Sequence, residues 1–144
     1  MKFLYTLILF MASGFAYAGD LEKITGKYNY EQYRLTMANG KTLSMSDIGA
    51  KSITIEVRKD STISMKMFMI DGRVIASDAL IKEIKVNGNK GYWIAQWPEM
   101  NYPVKKVFSF NGSQLEYDIK FENAQDLSRY GMHEHAVLRK ANAS

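Results

Sequence analysis

Met65, Met67 and Met69 place three thioethers at alternate positions of one segment. Alternate side chains of an extended chain share a face, so the three would stand in a row. Soft sulfur is a ligand for Cu(I), and by the same chemistry for Ag(I). His133 and His135 repeat the spacing beside Met132. Neutral imidazole is a common metal ligand, but two histidines need a third donor from elsewhere. The same residues also fit other roles. Methionine is an adaptable filler of cores and of ligand cavities. A histidine pair near a strand start also suits a solvent face or a pH-responsive contact.

A third feature is the aromatic run from Tyr92 to Pro103, which holds both tryptophans, Trp93 and Trp97. Pro98 and Pro103, the two prolines of the chain, bound a loop and not a central strand. Aromatic side chains beside such a loop can rim a ligand mouth or meet a partner protein. Alternatively, one tryptophan fills the core and the other covers it. Tyr28, Tyr30 and Tyr33 on the first predicted strand add polar anchors for the inside of a closed sheet. Catalysis finds no support. No serine sits in a nucleophile-elbow context, no motif pairs two carboxylates, and no glycine-rich phosphate cradle occurs. The chain reads as noncatalytic and without a cofactor.

These side chains must be positioned by strands. Ile53, Ile55 and Val57 alternate with Thr54, Glu56 and Arg58; a four-residue turn follows, and Ile63 to Met69 return. From Gln114 the alternation is clearest, with Leu115, Tyr117, Ile119 and Phe121 on one side and charged residues on the other. One wet and one dry face belong to an antiparallel sheet. Asn39-Gly40, Asp71-Gly72, Asn87-Gly88 and Asn111-Gly112 mark tight turns. Strands are predicted at 26–37, 41–45, 52–58, 62–70, 73–75, 80–86, 91–96, 104–110, 114–121 and 134–141. A short helical turn is expected at 21–25, and 123–130 as a short helix or loop. A meander of this kind removes its edges by closing. The expected fold is all-β, an antiparallel up-and-down barrel of 8–10 strands, with a two-sheet β-sandwich as the alternative.

Residues 1–18 read as a secretory signal peptide: Lys2, the apolar run Phe3–Met11, and Ala16-Tyr17-Ala18 before Gly19. The run is too short for a transmembrane helix. Residues 19–144 form one domain, placed in the periplasm or secreted after cleavage near Ala18. With no cysteine in the chain, thiol redox and zinc-thiolate chemistry are excluded. The formal charge of +4 falls by one with Lys2, and the basic residues are spread. Lys105-Lys106 and Arg139-Lys140 are the adjacent basic pairs singled out, and both read as solvated surface. Nucleic-acid binding, which needs clustered charge, is not expected.

The two ends carry a family resemblance. Gly26-Lys27-Tyr28 opens the first strand and Arg139 lies on the last. Together these look like the calycin superfamily, the lipocalins and fatty-acid-binding proteins, in which Gly-x-Trp opens the first strand. Tyr28 stands where tryptophan is usual. The resemblance implies that Arg139 packs across the Tyr28 ring and closes the barrel base, a contact worth about 0.5–2 kcal/mol. It also implies a small apolar or amphipathic ligand, such as a lipid, inside the barrel. The expected lining is Ile53, Ile55, Val57, Met65, Met67, Met69, Leu115, Tyr117 and Phe121, with Trp93 or Trp97 near the mouth. Two other functions fit the sequence. One is a periplasmic Cu(I)/Ag(I) binder using Met65, Met67 and Met69 with His133 or His135. The other is an envelope interaction or inhibitor protein using the loop around Trp97.

Overall fold

The computed structural model describes residues 19–120 and 133–141. Residues 19–24 form a helical turn. Nine strands follow: β1 (Gly26–Thr36), β2 (Thr42–Ser44), β3 (Ala50–Val57), β4 (Thr62–Met69), β5 (Val74–Asn87), β6 (Lys90–Gln96), β7 (Val104–Phe110), β8 (Gln114–Lys120) and β9 (His133–Lys140). A 3₁₀ turn, Ser46–Ile48, lies between β2 and β3. The hydrogen-bonded order is β2-β1-β3-β4-β5-β6-β7-β8-β9, and β1 also pairs with β9. Eight antiparallel strands therefore close a barrel, with β2 as an added strand. This is the expected closed meander and not a sandwich.

Two edges of β1 are used unevenly. Its first half pairs with β3 through Gly26–Asn29. Its end pairs with β2 through Arg34–Thr36. On its other side it pairs with β9 almost throughout, from Tyr28↔Lys140 to Thr36↔His133, with a bulge between Tyr30 and Gln32.

The segments 73–75 and 80–86, expected as separate strands, are parts of one long strand, β5. Ala76-Ser77-Asp78-Ala79 lacks the bulky residues that signal a strand. Ser77 and Ala79 are the buried positions of that stretch. A bulge between Ile81 and Glu83 then re-aims the strand's second half.

One end of the barrel is packed solid. Leu21 and Ile24 of the helical turn are buried there with Tyr28, Ile55, Val57, Ile63, Trp93, Phe108, Leu115, Tyr117 and Leu138. The Trp93 and Phe108 ring centroids are 5.1 Å apart. Gly91 permits that packing. A Cβ there would stand 3.0 Å from Phe108 Cζ and 2.4 Å from the Lys85 carbonyl oxygen, so both the ring and the β5–β6 hairpin exclude a side chain.

The expected Tyr28–Arg139 stack does not form. Tyr28 is opposite Lys140, and its hydroxyl donates to the Ile24 carbonyl at 2.8 Å. Arg139 follows inward-facing Leu138, so alternation turns it outward, and its guanidinium pairs with Glu31 on the exposed surface. Lys140 crosses Gly26, where a Cβ would lie 2.7 Å from Lys140 Cε; the φ of +146° also favours glycine. The base is thus sealed by the helical turn and the Tyr28 hydroxyl, not by a stacked arginine.

Candidate functional site

The opposite half of the barrel is hollow. A cavity of about 280 Å³ is lined by Tyr30 and Tyr33 of β1, Ile48 of the 3₁₀ turn, Ile53 of β3, Met65 and Met67 of β4, Trp97, Glu99 and Met100 of the β6–β7 loop, Val104 and Lys106 of β7, and Glu134 of β9. Alternation accounts for the placement. On β4 the inward set is Ile63, Met65, Met67; on β7 it is Val104, Lys106, Phe108; on β9 it is Glu134, Ala136, Leu138. The lower members of each set pack the core and the upper members face the cavity.

Ile53, Met65, Met67 and Trp97 therefore line one cavity. Ile55, Val57, Trp93, Leu115 and Tyr117 point inward but belong to the packed half. Met69 lies at the rim, its methyl 3.2 Å from where a Gly49 Cβ would stand. Phe121 lies outside the described residues. Trp97 is only 9% exposed, and its side chain lines the cavity. The loop holding it is pinned by the Gln96 amide, which donates to the Trp97 carbonyl at 3.0 Å and the Met100 carbonyl at 2.8 Å.

The histidines stand on the other face of the wall. His133 Nε2 is 2.9 Å from Asp118 Oδ1; His135 Nδ1 is 2.8 Å from the same oxygen, and its Nε2 is 3.3 Å from Glu116 Oε1. Met65 and Met67 face inward, so an ion held by them could not also take either imidazole. Among the described residues, no three His, Asp or Glu side chains are grouped to hold a metal ion.

Lys106 and Glu134 are the residues that the sequence reading missed as cavity groups. As one of the adjacent pair Lys105-Lys106, Lys106 is expected on the solvated surface. Instead it is 9% exposed, with Nζ 3.7 Å from Glu134 Oε1 and 4.2 Å from the centroid of the Tyr117 ring. Glu134 Oε1 accepts the Tyr117 hydroxyl at 2.8 Å, and its Oε2 meets the Tyr33 hydroxyl at 3.5 Å. The Tyr30 and Tyr117 hydroxyl oxygens are 2.5 Å apart. Burial lowers the Lys106 pKa, and the Glu134 charge acts against that by favouring the ammonium. Burial, and then the Glu134 charge, push the hydroxyls of Tyr30, Tyr33 and Tyr117 well above the ordinary phenol value. All three therefore stay protonated donors at neutral pH. The signal was present in the sequence as two charged residues of opposite sign at apolar parity: Lys106 between Val104 and Phe108, and Glu134 ahead of Ala136 and Leu138.

The cavity offers apolar and thioether walls, a packed base and one polar corner. Among solved structures, the chain is similar to a lipocalin-like protein from Bacteroides uniformis, at 15% identity over 83% of this chain and 99% of that one, TM-score 0.49. It is also similar to a redesigned β-barrel, at 14% identity over 85% and 96%, TM-score 0.47. A de novo designed fluorescence-activating β-barrel is similar at 14% identity over 84% and 96%, TM-score 0.43. No protein-family model and no curated protein matches the sequence. The chain's own strand order, an up-and-down antiparallel ring of eight strands with one plugged and one hollow end, makes the fold a lipocalin-like β-barrel.

Proposed function

We propose that this chain is an exported, noncatalytic binding protein that holds a small apolar or amphipathic molecule in the hollow half of its barrel. One observation carries the reading: the cavity of about 280 Å³, walled by Ile53, Met65, Met67, Met100 and Trp97 and closed below by the packed core. A dry apolar cavity of about 150 Å³ accepts benzene. By proportion, this one accommodates about eleven heavy atoms, near the lower bound of about 300 Å³ for small-molecule sites. Thioethers suit such a wall because methionine adapts its shape to an irregular guest.

Octanol is a probe of the right size. Titration calorimetry should show one molecule bound per chain. Met67→Trp, which fills the space from β4, should weaken binding at least tenfold while the barrel stays folded. Undiminished affinity in a folded Met67→Trp protein would remove the cavity as the site. Export is read from residues 1–18. Expression in a bacterial host should give a mature protein whose intact mass begins at Gly19; full-length protein retained in the cytoplasm would argue against it.

A further inference from the structure

The cavity has one polar corner. Lys106 and Glu134 project from β7 and β9 and carry opposite formal charges. Lys106 Nζ lies 3.7 Å from Glu134 Oε1 and 4.2 Å over the Tyr117 ring; an ammonium has three donors, and these two contacts leave one for a guest. Glu134 Oε2 is engaged only at the long limit, by Tyr33 at 3.5 Å. The corner thus presents donors and acceptors together, with no net charge. Three further ionisable groups line the cavity: Tyr30 and Tyr33, whose hydroxyls have raised pKa values and stay protonated at neutral pH, and Glu99. Glu99 stands exposed at the rim, where Ser77 donates to it at 2.6 Å and solvent screens its charge.

A carboxylate head placed here would meet Glu134 as well as Lys106. An ammonium head would meet Lys106 as well as Glu134. Either adds an uncompensated charge to a poorly solvated site, which is costly. A hydroxyl or primary amide adds none, and it can donate to the carboxylate while accepting from the ammonium. Resting on the cavity-binding reading above, we propose that the ligand is a medium-chain amphiphile with an uncharged hydroxyl or amide head, and that the Lys106–Glu134 pair rejects the carboxylate and the amine of the same length.

Four eight-carbon probes test this at neutral pH: octanol, octanamide, octanoate and octylamine. Titrations should show octanol and octanamide binding at least tenfold more tightly than either charged probe. Glu134→Gln leaves the ammonium alone and should raise octanoate affinity at least tenfold. Lys106→Gln leaves the carboxylate alone and should do the same for octylamine. Octanoate or octylamine equal to octanol on the unmodified protein overturns the head-group inference and leaves cavity binding standing. Failure of all four probes on natively folded protein overturns cavity binding itself. The ranking on the unmodified protein decides the matter even where a variant fails to fold.

Discussion

Between pH 10 and pH 12 the barrel is expected to lose much of its stability. Burial raises the Tyr28 hydroxyl from its ordinary value of 10.0 to about 12. Tyr30, Tyr33 and Tyr117 are pushed up further, by burial first and by the Glu134 charge second. In the unfolded chain all four ionise near pH 10. Above that pH the folded state holds more protons than the unfolded one, so stability falls as pH rises. Below it, both states keep these protons and the contribution is complete. Each pH unit between the two values is worth about 1.4 kcal/mol, so Tyr28 alone accounts for about 3 kcal/mol. A typical domain has only about 5–15 kcal/mol in total. Lys106 acts in the opposite sense, because its lowered pKa makes deprotonation favour the folded state, but that gain is complete once pH passes the ordinary lysine value of 10.5. Urea melts at neutral pH and at pH 12 measure the difference. An unchanged midpoint would mean that these hydroxyls ionise freely in the folded barrel.

Trp93→Ala should cost about 4 kcal/mol, the range for removing a large buried aromatic side chain. Trp93 is 1% exposed, packed on Phe108, with its ring centroid 6.5 Å from that of Tyr117. It joins the plugged half of the barrel to the floor of the cavity. Trp93→Phe should cost less than half as much. The indole Nε1 is buried without a hydrogen-bond partner among the described residues, and an unpaired buried donor is itself destabilising by about 1–3 kcal/mol. Phenylalanine gives up area but also removes that donor. Chemical denaturation followed by circular dichroism compares the two variants. Equal losses would show that the indole nitrogen carries no penalty. The phenylalanine variant also leaves Trp97 as the lone tryptophan, a fluorescent reporter on the cavity wall.

Strand periodicity made most of the ring legible from sequence. The alternation at 53–57, 63–69 and 115–118 separated inside from outside among the described residues, and Asn-Gly or Asp-Gly pairs marked four turns. Two kinds of information were missing. One was depth along the barrel: Ile53 and Ile55 have the same parity, yet Ile53 lines the cavity and Ile55 lies in the core. Parity says which face a residue takes, while only the closed ring says how far it lies from the plug. The other was charge inside. Lys106 looked like surface because lysine is almost never buried unless paired, and its partner Glu134 is on another strand. The family resemblance pointed to the right architecture but assigned Arg139 a contact that Lys140 and Glu31 make impossible in this chain.

The pairing of β1 with β9 also sets the order of assembly. From β3 to β8, each strand finds its next neighbour through a local turn, but Glu31 and Arg139 meet across 108 positions. Such distant contacts slow folding, because a long loop must close before they form. β1 comes first along the chain and its main partner comes last, so the two can pair only once the intervening strands are present. Until then the chain is an open, curling sheet with two raw edges, each a template for pairing with another molecule. The eight residues of β9 therefore decide when the chain stops exposing raw edges and becomes a closed ring.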